Sequence, residues 1–584
     1  MIRHLAPAVA LLVLVAYPVV APGAAYYQTV LIMAFLVAIQ AVSWNIVSGF
    51  AGYISLGHSV FLGIGAYVAA IGSLRWGVDP LVLAPAGGLV ATAVALGIGG
   101  VVLRAKGPAF VIITIALLLV CQLLAINLPS LTNGSDGITL GFPFWDPELG
   151  DIPFYYLFLA LLVGSFGFSA WIRRSRFGTG LVAIREDEGK AAAIGVPTSL
   201  YKTLAYGASA FFVGMAGAVY AYYLTFLNPL GAFNILTSVS VVLAALLGGR
   251  GTLYGPVIGA FVVSFAGEAA TVYAGGTQSR VLLFGLALVV IVLFLPDGLL
   301  PAVHRFQARR RAEPVDFPEL PQRRPVTAKT VRLDPMPGPL LELRHVHKAF
   351  GGIRAVNGVD LGVPRGSITG LIGPNGSGKT TLFNVVSGSS TVDIGEVLLD
   401  GERIDGLRPC RRAHRGLGRT FQVTRLFAGM TVLENVVAPL RTFRPGVLVS
   451  AAVTGAEADR ARELLAFVGL ERLAGQRAGE LSYGQQKLVE LAQVLMLEPR
   501  MVLLDEPAGG ITPALVERLT EIIREANRQG VTFLVVEHNI PMVLELCDPI
   551  FVLAAGEVIA HGEPDRIRSD TAVLDAYLGR EVLL

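Results

Sequence analysis

Nine consecutive residues, Gly373-Pro374-Asn375-Gly376-Ser377-Gly378-Lys379-Thr380-Thr381, carry the groups that a polyphosphate needs. Glycines let a backbone curl until successive N–H groups point inward at phosphate oxygens, and a helix starting there adds its positive N-terminal end. Ser367 to Ile372 reads as a buried strand and Leu382 to Val386 as a helix, so the loop sits where strand passes into helix. In that setting Lys379 reaches the β- and γ-phosphates, and the Thr380 hydroxyl is placed to ligate Mg²⁺. The alternative is an ordinary glycine-rich turn, which the flanking strand and helix argue against. Further on, Met501 to Glu506 is an apolar run ending in two carboxylates. Asp505 suits a magnesium shell, and Glu506 is placed to polarise an attacking water.

Three other segments narrow the class: Arg419-Thr-Phe-Gln422, Leu481-Ser-Tyr-Gly-Gln-Gln486 and Val535-Val-Glu-His538. In order and spacing, residues 340–584 resemble the ATP-binding cassette (ABC) ATPases. The resemblance implies that Ser482, Tyr483, Gly484 and Gln485 form the signature loop, which caps the γ-phosphate of an opposite subunit's ATP. It also implies that Gln422 senses the magnesium and touches the permease. His538 matches the switch histidine near the γ-phosphate, and Phe350 falls where the family stacks an aromatic on adenine. Tyr483 replaces the commoner first glycine of the signature, and Gly509-Gly510 departs from the usual loop after the second carboxylate. Neither departure removes a catalytic group.

The 584 residues are 53% apolar and only 15% charged, and that average hides a split chain. Residues 1–300 are almost wholly apolar, and nearly all the charge lies beyond. A net charge of +3 leaves no nucleic-acid footprint. Cys121, Cys410 and Cys547 lie far apart with no Cys-x-x-Cys pair, against a disulfide framework or a zinc site and in keeping with a reducing cytoplasm.

Apolar runs at 5–21, 28–49, 56–74, 81–103, 109–128, 153–172, 203–224, 235–249, 253–275 and 280–300 give eight to ten membrane spans. The first run could instead be a cleaved signal segment ending near Ala21-Pro-Gly-Ala-Ala25. Arg104 with Lys106, the cluster from Arg173 to Lys202, and Arg305 with Arg309 to Arg311 mark cytoplasmic loops. The loop 129–152 has acids and no Lys or Arg, so it belongs outside; ten spans with both ends inside satisfy all of these placements. Glu268 is the one acidic residue inside a span, a candidate for the substrate path or for a headgroup-level position. Asn45 and Gln122 read as interhelical hydrogen bonders, and Gly255-x-x-x-Gly259 as close helix packing.

Asn45 to His58, followed by Phe61 to Tyr67, is too glycine-dense for a straight helix. With Leu131 to Gly137 and Gly251 to Ala260, these residues resemble the permease subunits of branched-chain amino-acid ABC importers. The cassette half, with Pro374-Asn-Gly, Leu382-Phe-Asn384 and Leu481-Ser-Tyr-Gly484, is similar to the ATPase subunit of the same systems. Two normally separate subunits are thus expected in one chain: a polytopic α-helical membrane domain over 1–300 and an α/β P-loop ATPase over 341–584. Residues 301–340 join them, with eight prolines and eight Lys or Arg against four acids. That composition reads as an extended, soluble linker spanning roughly 35 Å root-mean-square or more, and its basic residues can rest on anionic lipid headgroups.

Residues 178–197 are the expected joint between the halves. Leu181 to Ile194 reads as one short helix with a Glu186–Lys190 pair, capped by Gly195 and stopped by Pro197. Importer permeases carry such a coupling loop docked on the ATPase, which gives Arg185, Glu186, Lys190 and Gly195 that role by resemblance; the alternative is a solvated connector. The function implied is ATP-driven import of branched-chain amino acids across the inner membrane with Mg²⁺ as cofactor. Urea or short-amide import and an ATP-gated channel are the rivals. One P-loop and one signature per chain require a second cassette and a second permease half, as homologous subunits or a homodimer. The resemblance adds an extracytoplasmic solute-binding protein and gives no place to nucleic acid.

Overall fold

The computed structural model describes residues 2–302 and 338–578, less 22, 274–275 and 296–297. The expected linker therefore lies outside the described residues for 303–337, as do Arg305 and Arg309 to Arg311. The chain forms two compact units: Met1–Leu181 with Ser199–Val315, and Val182–Thr198 with Asp316–Leu584.

In the first unit, seven helices among the described residues are long and apolar enough to cross a membrane. They are Ala25–Phe50, Pro80–Val102, Pro108–Asn127, Ile152–Arg174, Thr198–Leu224, Pro229–Gly248 and Gly255–Tyr273, and Ala25–Phe50 is the most enclosed. Shorter apolar helices lie at Pro7–Val20, Val60–Trp76 and Val281–Ile291. Backbone groups in hydrocarbon must be bonded internally, which favours helices wherever the sequence stays apolar. Where glycines accumulate the helix gives way: Asn45–Phe50 widens into a π-helix, and regular structure resumes only at Val60, later than the expected start at 56. Side chains cover the freed backbone, Trp44 Nε1 donating to Ser55 O at 2.7 Å and Ser48 Oγ to Tyr53 O at 2.9 Å.

A second interruption, Gly249 to Tyr254, separates the helices Ile235–Gly248 and Gly255–Tyr273. Asn45 clamps it, accepting from Gly251 N at 2.7 Å and donating to Thr252 O at 2.8 Å. Gln122 donates to Phe233 O at 3.2 Å, so both amides are the hydrogen bonders expected of them. The two helices pack closely: a Cβ on Gly259 would stand 1.9 Å from Ala244 O. Glu268 accepts from Tyr26 Oη at 3.0 Å, beside the first turn of the helix Ala25–Trp44.

The second unit holds two sheets. Glu557–Gly562, Ile550–Ala554, Ile368–Ile372, Thr532–Val536, Met501–Asp505 and Leu417–Arg419 lie in that order, parallel except for the Glu557–Gly562 edge. Ile353–Val363, Leu341–Phe350, Ile394–Leu399 and Glu402–Arg403 form an antiparallel sheet. The central parallel strands are covered on both faces, which is why they read as unbroken apolar runs. Their register matters most: Val536 pairs with Leu371 on one side and Asp505 on the other, so three carboxyl ends finish level. In open parallel sheets that edge is where ligands bind. The helices Val432–Val437, Gly455–Phe467 and Tyr483–Leu495 pack around Val436, Leu464 and Leu488.

Residues 182–198 pack as part of this second unit, and the helix there is not continuous. The chain breaks at Asp187, whose Oδ1 accepts from Lys190 N at 2.8 Å and caps a separate helix, Glu188–Ala193. This corrects the expected Glu186–Lys190 pair: the break removes the i,i+4 geometry. Glu186 bonds Arg185 instead, at 2.8 Å, and Lys190 turns to Glu490.

Candidate functional site: a phosphate loop and its carboxylates

The glycine-rich loop leaves the strand Ile368–Ile372 and enters the helix Lys379–Ser387. Gly378, with φ +102°, is the turn residue; a Cβ there would stand 2.1 Å from Ala355 O, so no other side chain fits. Lys379 Nζ donates to Gly373 O at 2.7 Å and Pro374 O at 2.9 Å, which holds the ammonium over the loop. Burial lowers its pKa, and the nearby Glu506 charge opposes that shift. Thr380 is exposed on the first turn, Thr381 is half-buried beside it, and Asn375 and Gly376 lie exposed at the loop's crest. Ser377 is buried beneath them, its Oγ 3.4 Å from Lys379 Nζ. Phe350 lies half-exposed at a strand end, with Lys348 Nζ 5.3 Å from its ring.

Asp505, almost fully buried, ends the strand Met501–Asp505, which the strand Thr532–Val536 separates from Ile368–Ile372. Its Oδ2 accepts from Arg419 Nη2 at 3.1 Å, while its Oδ1 has no hydrogen-bond partner among the described residues. Burial raises the Asp505 carboxyl and lowers the Arg419 guanidinium, and each charge resists the shift of the other. A buried acceptor left unsatisfied is costly; an oxygen ligand of this kind, with the open Thr380 hydroxyl, suits a hard divalent cation.

Glu506 follows at φ +46°, a left-handed conformation unusual for a residue with a side chain. Its Oε2 accepts from Gln422 Nε2 at 2.9 Å and lies 3.7 Å from His538 Nδ1. Gln422, Glu506 and His538 therefore come together beside Asp505 and the loop. Of Ser482, Tyr483, Gly484 and Gln485, Tyr483 touches this group, its Oη donating to Gln422 O at 3.5 Å. The four open the helix Tyr483–Leu495, where Ser482 and Gln485 form a capping box. Gly484 gives room for Leu515, whose Cδ2 would lie 2.1 Å from an added Cβ.

Three charged residues that motif reading missed build this site, and a fourth, Glu490, holds residues 182–198. Arg419 donates to Asp505, to Asn384 Oδ1 at 2.8 Å and to Ser387 Oγ at 2.6 Å, tying the phosphate-loop helix to the carboxylate strand. Lys487 donates to Gln422 O at 3.0 Å and Glu506 O at 3.2 Å. Glu537, fully buried, accepts from Ala508 N at 2.6 Å, His538 N at 3.0 Å and Asn539 N at 3.3 Å. Glu490 meets Lys190 at 3.1 Å. The signal was present in each case: a charge on a strand end or helix that is otherwise buried must find a partner.

This arrangement is the nucleotide site of a P-loop ATPase, carried on a chain with apolar membrane helices. Comparison with known proteins extends that. Residues 26–293 match the family described as "Branched-chain amino acid transport system / permease component". Residues 356–509 match "ABC transporter", and 557–582 "Branched-chain amino acid ATP-binding cassette transporter". Among curated relatives, the high-affinity branched-chain amino acid transport ATP-binding protein BraF of Pseudomonas aeruginosa is 39% identical over 253 residues, 42% of this chain and 99% of the relative. The Escherichia coli protein LivG, of the same description, is 38% identical over 253 residues, with the same shares. A crystal structure of a nucleotide-free ATP-binding cassette from an ABC transporter is 34% identical, with 41% of this chain and 98% of that one covered and a TM-score of 0.38. The chain belongs to the branched-chain amino acid ABC transporter family, with the permease and ATP-binding components fused in one polypeptide. It is an inner-membrane protein whose ATPase is cytoplasmic.

Proposed function

We propose that this chain couples ATP hydrolysis to the import of branched-chain amino acids. One observation carries the reading: Asp505, Glu506, Gln422 and His538 converge beside the Lys379 loop in a chain that also contains the family's permease. Lys379 and the loop amides hold the β- and γ-phosphates. Thr380, Asp505 Oδ1 and Gln422 would hold Mg²⁺, which when bound neutralises charge on the phosphate oxygens. Glu506 orients and deprotonates the attacking water, with its carboxylate steered by Gln422 and His538. Phe350 stacks on the adenine.

Ser482 and Gly484 act on the ATP of a second cassette, and its signature acts on this one. A second permease half, a second ATPase (or another copy of this chain) and an extracytoplasmic solute-binding protein complete the machine. Residues 182–198 are the coupling loop. Glu268, bonded to Tyr26 beside a helix start, belongs to the headgroup level rather than the substrate path.

Glu506→Gln tests the chemistry, because it removes basicity and keeps the shape. ATP binding should persist while steady-state phosphate release falls by about 10²–10⁴-fold, the usual worth of general-base catalysis. Turnover at the wild-type rate would assign the base elsewhere.

A further inference from the structure

The helix Glu188–Ala193 is held by two kinds of contact. One kind reaches the loop's main-chain carbonyls. Ile194 O accepts from Leu440 N at 2.9 Å, and Gly195 O lies 2.8 Å from His414 Nε2. Gly195 has φ +92°, and a Cβ there would stand 2.2 Å from Leu440 O. These contacts fix how closely the loop seats; the Leu440 bond asks only for backbone, and the second asks for an imidazole at 414.

The other kind joins side chain to side chain. Lys190 Nζ lies 3.1 Å from Glu490 Oε1, and both side chains are 1% exposed. The ammonium also faces the Phe427 ring at 5.6 Å. At the rim, Arg425 meets Asp187 at 2.8 Å with the arginine half-exposed. A rim pair of that kind discriminates weakly, because water replaces a lost partner. The buried pair discriminates strongly, since an ammonium left without its carboxylate stays uncompensated in a dry site. Glu490 lies on the helix Tyr483–Leu495, directly behind the signature residues, so the pair fastens the loop to the element that serves the opposite ATP.

Resting on the ATP-driven importer reading above, we infer that Lys190–Glu490 is a pairing key: this loop accepts a cassette with a buried carboxylate at the Glu490 position and rejects one with a neutral or basic residue there. A key is needed even though the cassette is tethered. Covalent attachment raises a cassette's local concentration, and by itself it does not choose between this loop and that of a second permease half. In a mixed assembly, the partner cassette and its own loop should carry a different match.

The test uses the full chain in its assembled transporter, measuring branched-chain amino-acid uptake per ATP hydrolysed. Lys190→Glu and Glu490→Lys alone should each lower that ratio about tenfold or more, and the double exchange should restore it to within about threefold of wild type. Single variants that couple normally would overturn the key. So would a double exchange no better than the singles, which would reduce the pair to local packing. If Lys190→Glu fails to accumulate, Glu490→Gln with Lys190→Met/Glu490→Gln gives the same contrast, with recovery in the double expected and its absence fatal. Glu506→Gln runs beside them: if it hydrolyses ATP normally the importer chemistry is wrong, whereas normal coupling in the pair variants with a dead Glu506→Gln sinks the key alone.

Discussion

Arg419 shows how much of the nucleotide site rests on a residue with no catalytic task. Its guanidinium bonds Asn384, Ser387 and Asp505, and both it and Asp505 are nearly free of solvent. Removing one member of a buried pair leaves an uncompensated charge and costs about 3–5 kcal/mol. Arg419→Met should therefore destabilise the cassette by that order, measured by denaturant unfolding of the full protein. Arg419→Met/Asp505→Asn should regain part of the loss. A single variant with wild-type stability would show that the pair carries no such strain. At this scale the sequence was most legible where chemistry needs a fixed spacing: the loop, Asp505 with Glu506, and His538. It was least legible where a charge acts through burial, as for Arg419, Lys487 and Glu537, because burial is a property of the neighbours rather than of a motif.

Elements carry the coupling argument. Residues 178–197 read as a joint from their alanines, Gly195 and Pro197, and the break at Asp187 was not read. An acid followed by Glu188 is a helix-start signal in its own right, and local capping prevailed over a continuous Leu181–Ile194 helix. Gly195 completes the far end, Val196 N bonding Ala191 O and Gly195 N bonding Ala192 O. Gly195→Ala should uncouple ATPase from uptake while leaving nucleotide binding intact, since its φ and the approach of Leu440 O both exclude a Cβ; coupled transport at the wild-type ratio would contradict the docking.

His414, bonded to Gly195 O, adds a pH dependence. Burial holds its pKa below the ordinary 6.5 against the Gly195 hydrogen bond, which raises it, and the Arg411 charge adds to the depression. A depressed folded-state value means the neutral ring contributes stability that is complete above about 6.5 and lost as pH falls towards the folded pKa. Melting temperature should decline over that interval in the wild type and more shallowly in His414→Gln. An identical decline in both would place the titration on another group.

For the whole molecule, one phosphate loop and one signature per chain set the expectation. Within this chain, Ser482 caps its own helix in a box with Gln485. A strictly monomeric preparation should therefore hydrolyse ATP poorly until a second cassette is supplied; full activity in the monomer would refute the two-cassette scheme. Cutting the chain between 312 and 337 and co-expressing the parts should preserve uptake at high expression. A tether only raises local concentration, to the millimolar range at most. The division into membrane helices and cassette was legible from hydropathy alone, because a bilayer and a parallel sheet demand different patterns. The two interruptions were legible, the first as a glycine-dense stretch and the second as the break between the runs ending at 249 and starting at 253, whereas the Asn45 bonds that join them emerged only from the structure.

The most direct test of ATP-driven import is labelled leucine uptake into proteoliposomes holding the assembled transporter and its binding protein, with phosphate release followed in parallel. The expected result is accumulation that requires ATP, is competed by isoleucine and valine but not by urea, and stops in the Glu506→Gln variant. Leucine entry that continues without ATP or in that variant, or competition by urea alone, would contradict it.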